Sequence, residues 1–83
     1  MPRFYIDTDD GVFPVRDDVG HEFASVEAAR NMAQRALPDM ARQKLPDGER
    51  RTFTASIRDE NGTVLYVATL SLVGEWMVPR STA

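Results

Sequence analysis

Thr63-Val-Leu-Tyr-Val-Ala-Thr-Leu-Ser-Leu-Val73, directly after the turn Asp59-Glu-Asn-Gly62, decides how this chain folds. An Asn-Gly pair followed by residues that favour strand marks the second arm of a β-hairpin. The arm carries large apolar residues at both parities, with Val64, Tyr66, Leu70 and Leu72 on one and Leu65, Val67 and Val73 on the other. Side chains alternate across a sheet, so both faces of this strand call for burial. A chain with one helical stretch can cover only one face. The other is expected to meet the C-terminal tail or another protein molecule.

Working backward, Arg51 to Arg58 alternates as the first arm, with Phe53, Ala55 and Ile57 inward and Thr52, Thr54, Ser56 and Arg58 outward. A two-residue Asn61-Gly62 loop sets Ile57 against Tyr66, Ala55 against Ala68 and Phe53 against Leu70, placing apolar opposite apolar. A loop one residue longer, with Gly62 as a bulge, would align Ile57 with Leu65 instead. Upstream, Ser25 is a suitable N-cap, and Glu27 favours the helix dipole. Val26, Ala29, Ala33, Leu37 and Met40 then form one stripe at 100° spacing, flanked by Ala36. Pro38 breaks one backbone bond on the polar side of that stripe, predicting either a kinked helix to about Lys44 or a break at Leu37 and a second short helix.

The N-terminal third reads as Arg3–Asp7 strand, Thr8-Asp-Asp-Gly11 turn, Val12–Val15 short strand and Asp17-Asp-Val-Gly20 turn, with His21–Phe23 extended into the helix. Pro14 marks the second strand as an edge, because proline cannot donate to a ladder. The order is ββαββ, which predicts an α+β fold: a four-stranded antiparallel sheet with one helix across one face. One domain spans residues 1–83, its core about 2–73, followed by an apolar tail 74–83.

Composition narrows the chemistry. The chain has 83 residues, no cysteine and a net charge of −3. Disulfides and thiolate metal sites are excluded, and nothing draws so acidic a chain generally to nucleic acid or anionic membrane. Arg42, Lys44, Arg50, Arg51 and Arg58 gather in the middle third but are interleaved with Asp47 and Glu49, the pattern of a solvated surface. No apolar run approaches a membrane span, and Met1–Asp7 lacks the apolar core of a signal peptide, so a cytoplasmic protein is expected.

The acidic turn Asp7-Thr-Asp-Asp-Gly11 fails as a calcium loop. Counted from Asp7, the fifth position is Gly11, the sixth Val12 and the twelfth Asp18, where an EF-hand needs an oxygen ligand, a glycine and a bidentate glutamate. His21 stands alone as histidine, with no nucleophile elbow. Asp9, Asp10, Asp17, Asp18 and Glu22 are read as carboxylates of solvent-rich turns, where nothing raises a pKa toward a general acid's. The expectations are no metal, no cofactor and no catalytic residue.

Asp17-Asp-Val-Gly-His-Glu-Phe-Ala-Ser-Val-Glu-Ala-Ala-Arg30, with Pro2-Arg-Phe-Tyr-Ile-Asp7 and Arg58-Asp-Glu-Asn-Gly62, resembles a family of small uncharacterised proteins of rhizobia and related proteobacteria. The resemblance spans about residues 2–73 and implies no activity. A weaker similarity is to HicB-type antitoxins, whose appended DNA-binding segment this chain lacks. The leading expectation is a small non-enzymatic protein–protein interaction module, a homodimer or a binder of another protein, with Leu65, Val67, Trp76 and Met77 at the contact. The competing expectation is a nucleic-acid-associated regulator or antitoxin-like module.

Overall fold

A computed structural model describes residues 1–80. It shows the α+β fold that the pattern predicts: an antiparallel sheet with one helix against one face. The strands are β1 (Arg3–Asp9), β2 (Pro14–Val15), β3 (His21–Glu22), β4 (Arg50–Arg58) and β5 (Val64–Val73), and the helix α1 is Val26–Lys44. The main sheet runs β2-β1-β4-β5, and β3 pairs separately with the start of β1. That fifth strand is the departure from the expected four. His21 lies opposite Phe4 and Glu22 opposite Arg3, and the Phe23 amide continues the ladder to the Pro2 carbonyl at 3.0 Å.

Two boundaries differ from the local reading. β1 runs on through Thr8 and Asp9 because both pair with β4, opposite Ala55 and Thr54. Long-range pairing thus overrides the turn preference of Asp9. β2 is shorter than Val12–Val15, because the Val12 and Phe13 amides are taken by the Asp10 carboxylate at 2.9 and 2.8 Å. Only Pro14 and Val15 reach the ladder, opposite Asp9 and Thr8.

The helix is continuous to Lys44 through Pro38, whose ring projects from the exposed side. Ser25 Oγ accepts the Ala28 amide at 3.2 Å, the N-cap that the sequence supplies. Ala29, Ala33 and Leu37 are buried, with Val26, Ala36 and Met40 beside them half-buried. The alanines carry little side chain, so the helix axis comes close to Phe53, Ala55 and Ile57 on β4. With Phe4 and Phe23 these residues complete the core. Gln34 Nε2 donates to the Tyr66 hydroxyl at 2.8 Å, tying the helix to β5.

The β4–β5 register matches the expectation at Ile57–Tyr66, Ala55–Ala68 and Phe53–Leu70, but not through a two-residue loop. Asp59 and Thr63 close the turn, the Asp59 amide donating to the Thr63 carbonyl at 2.9 Å. The loop is therefore Glu60-Asn61-Gly62, with Gly62 at φ +86°, a conformation open to glycine. The Asp59 carboxylate braces it by accepting the Asn61 and Thr63 amides, each at 2.9 Å. Arg58 then lies opposite Val64 and Ile57 opposite Tyr66, leaving Leu65 as an extra residue. The longer loop displaces the pairing by one, and the bulge at Leu65 restores it.

Candidate functional site

Two regions outside the core carry chemistry. The first lies where β1, the Asp17 turn and the end of β4 converge. Arg58 points to the outer face yet is only 8% exposed. Its Nε donates to Asp7 Oδ2 at 2.6 Å and its second terminal nitrogen to Asp7 Oδ1 at 3.1 Å and the Asp17 carbonyl at 2.7 Å. The guanidinium also stacks over the Tyr5 ring, 4.9 Å from its centroid. Gly20 closes the cluster at φ +73°, where a Cβ would stand 2.8 Å from the Tyr5 ring. Glycine is required there by both conformation and space.

The electrostatics of this cluster stabilise its charged forms. The Arg58 guanidinium, foremost, holds the Asp7 carboxyl below the usual carboxylate range, against the opposing effect of burial. Asp7 in turn raises the pKa of Arg58. Burial pushes Asp17 up, but the amides of Gly20, Ile6 and Val19 together outweigh it and leave its carboxyl low. In a neighbouring cluster the Phe13 and Val12 amides hold Asp10 low, aided by Arg51 and Lys44. Arg51 bonds the Asp10 carbonyl and pairs with Asp47.

These contacts correct two expectations. Asp10 and Asp17 are not carboxylates of open, solvent-rich turns: Asp10 is buried and Asp17 half-buried, both as acceptors of backbone amides. Arg51 and Arg58 are not part of a solvated basic surface either, since their side chains are about 10% exposed and locked in ion pairs. Pairing of Arg58 with Asp7 escaped the sequence reading because 51 residues separate them. The only local trace is an arginine ending a strand just after the outward run Thr52, Thr54 and Ser56. Depressed carboxylates paired with fixed cations hold their protons off and do not suit general-acid work.

The second region is β5 with the segment that follows it. β5 ends the sheet, and among the described residues no strand lies on its far side. Its ten residues contain no charge and no proline. Val64, Leu65, Val67, Leu70 and Val73 are all exposed. On the outer face the apolar groups sit at the two ends, Val64 and Val67 beside the turn and Val73 at the other, with Thr69 and Ser71 between them. Thr52 Oγ1 lies 3.4 Å from Ser71 Oγ, so the centre of that face is lined with hydroxyls.

The described part of the tail, residues 74–80, does not return over this face. Trp76 Nε1 donates to Glu49 Oε1 at 2.9 Å, and the Arg80 guanidinium stacks on the Trp76 ring at 4.5 Å. Both contacts lie at the Glu49 end of the hairpin, whereas Leu65 lies at the turn end, roughly 30 Å away along the strand. Of the expected contact residues, Leu65 and Val67 fall at one end of β5 and Trp76 and Met77 beyond the other, all exposed. One chain does not bring the two pairs together. Residues 81–83 of the expected tail lie outside the described residues.

These features define a small two-layer α+β domain with a satisfied charged cluster on one side and an uncovered apolar edge on the other. Residues 3–71 match a domain of unknown function, DUF6894, and the chain belongs to that family. Neither the curated proteins nor the solved structures contain a match. Among the described residues no helix is long and apolar enough to cross a membrane.

Proposed function

We propose that this protein is a small, non-enzymatic, cytoplasmic protein–protein interaction module that associates with itself through β5. The observation that carries this reading is the free edge itself. A long, uncharged edge strand is a template for another chain, and proteins that do not use such edges blunt them with charge, proline or brevity. The opposite edge, β2, is blunted in this way by its two-residue length and Pro14. β5 has neither protection, and its one bulge, at Leu65, lies beside the turn and leaves Val67 to Val73 in regular register. The chain is also extended, with a radius of gyration of 15.9 Å, where a compact domain of this length has about 12 Å.

The nucleic-acid reading draws less support. Two of the basic residues it would use, Arg51 and Arg58, are occupied by Asp10, Asp47 and Asp7. Sedimentation equilibrium at tens of micromolar tests the proposal. The expected result is twice the 9.3 kDa chain mass, weakened by Trp76→Ala. A single-chain mass at every concentration overturns it.

A further inference from the structure

We propose that two copies of this chain pair antiparallel through β5 about a two-fold axis at Leu70, joining their sheets into one. This rests on the self-association reading above and specifies its register.

The backbone determines which residues can take part. The Gly74 amide donates to the Glu49 carbonyl at 2.6 Å, which makes that pair a hydrogen-bonded one. Such pairs alternate along an antiparallel ladder. In the observed register Leu72, Leu70, Ala68 and Tyr66 therefore direct their amides and carbonyls to β4. Val67, Thr69, Ser71 and Val73 direct theirs to the open edge. Pairing about Leu70 sets Val67 against Val73 of the partner subunit and Thr69 against Ser71 of the partner subunit, and the same again by symmetry. All four outward residues are then bonded.

The side chains select the same register. On the outer face it places valine against valine, Val67 at 57% and Val73 at 66% exposure, and hydroxyl against hydroxyl. On the helix side Leu70, 39% exposed, meets Leu70 of the partner subunit. Moving the axis to Thr69 sets Val67 against Ser71 and brings Val73 to the bulge at Leu65. Moving it to Ser71 sets Thr69 against Val73 and Val67 against Glu75. Both shifts oppose apolar to polar groups. The Leu70 axis also carries Trp76 and Met77 of the partner subunit past Val67 toward Leu65 and Val64. The two exposed clusters that one chain holds apart thus meet across the axis, and one patch serves both subunits.

The chain has no native cysteine, so single thiols report the register directly. Leu70 faces its symmetry mate in a non-hydrogen-bonded pair, with Cα atoms about 4.5 Å apart, inside the disulfide range. Under mild oxidation Leu70→Cys is expected to form covalent dimer roughly tenfold faster or more than Thr69→Cys, because a facing thiol acts at a high effective concentration. Sedimentation of the unmodified chain accompanies the comparison. A dimer in which Thr69→Cys cross-links as fast or faster, or in which neither variant does, overturns the register and leaves self-association standing. A single-chain mass throughout overturns both.

Discussion

Phe53 and Leu70 lie directly opposite each other on β4 and β5, on the same helix-facing side of the sheet, yet they live in different environments. Phe53 is 1% exposed, whereas Leu70 is open to solvent. The helix lies mainly across β4, so burial ends within one strand spacing of it, about 4.8 Å. The core between β1 and β4 is finished: Phe4, Phe23, Phe53, Ala55 and Ile57 are covered and Asp10 and Arg58 are paired, while Phe13, Val15 and Val19 stay exposed in and around the short β2 strand. β5 is attached to that unit by a ladder and the Gln34–Tyr66 bond but has half of its own backbone and most of its apolar surface uncovered. The contrast separates residues that hold the fold together from residues that the chain itself leaves uncovered.

Truncating the two members of this pair should give the largest difference. Phe53→Ala removes a fully enclosed ring and is expected to cost about 3–5 kcal/mol, comparable to the whole stability of a small domain. Leu70→Ala in dilute solution should cost about 1 kcal/mol or less, because no cavity forms. Urea unfolding monitored through Trp76 fluorescence measures both. Equal losses would mean that Leu70 is as enclosed as its neighbour.

The charged cluster of the finished unit should show itself in acid. Asp7, Asp10 and Asp17 have depressed pKa values in the folded chain. Below about pH 4, near the ordinary aspartate value of about 3.9, the unfolded chain takes up protons that the folded chain refuses. The stability they confer is complete above that value and is lost as pH falls through the lower native ones. Asp7→Asn should lower the thermal midpoint at neutral pH by several degrees and flatten its fall below about pH 4. An acid limb as steep as the parent's would remove Asp7 from the account.

How much of this was legible beforehand follows the same division. Short-range patterns were readable: the alternation of Phe53, Ala55 and Ile57, the Ser25 cap and the Ala29–Ala33–Leu37 stripe each express one element's period. The hairpin register was readable for a partly wrong reason, since the third loop residue and the Leu65 bulge cancel. What could not be read depends on distant pairing. β4 draws Thr8 and Asp9 into strand, the Asp10 carboxylate keeps Val12 and Phe13 out of it, and Asp7 pairs with Arg58, its neighbour across the sheet but 51 residues away in the chain. The excess of apolar residues on β5 was visible in the sequence. Its outer face is apolar only at the ends, because Thr69 and Ser71 share the parity of Val67 and Val73 and lie beside Thr54 and Thr52.

At the edge, effects on the isolated subunit should be small and effects on association large. Val67→Lys places a charge on the outer face, where the side chain has room. At high dilution it should change stability by about 0.5 kcal/mol or less. The parent's thermal midpoint is expected to rise with protein concentration, as that of a dimer must, and this dependence should vanish in the variant. A midpoint that never depends on concentration in the parent would mean that β5 is unoccupied by its twin.

The smallest expected effect is that of calcium on the acidic turn, although Asp7, Asp9 and Asp10 crowd within four residues. Their oxygens already have partners. Asp7 holds Arg58 and the Asp17 amide, the latter at 2.8 Å; Asp9 accepts Gly11 at 2.8 Å, and Asp10 accepts Val12 and Phe13. Asp18, the twelfth position counted from Asp7, is exposed and its ion-pair partner is Arg16, at 3.9 Å. To gather these groups on an ion, the turn would have to break the amide bonds that shape it and leave Arg58 without its carboxylate. Calcium ligands in sensor loops are instead oxygens held in place for the ion, reaching dissociation constants of about 0.1–10 μM. Millimolar calcium should therefore leave the thermal midpoint unchanged, and calorimetric titration should register no binding tighter than about 10 μM. Binding in that range would show that the turn can exchange its internal partners for a cation, and the distinction between a finished half and an open edge would no longer hold.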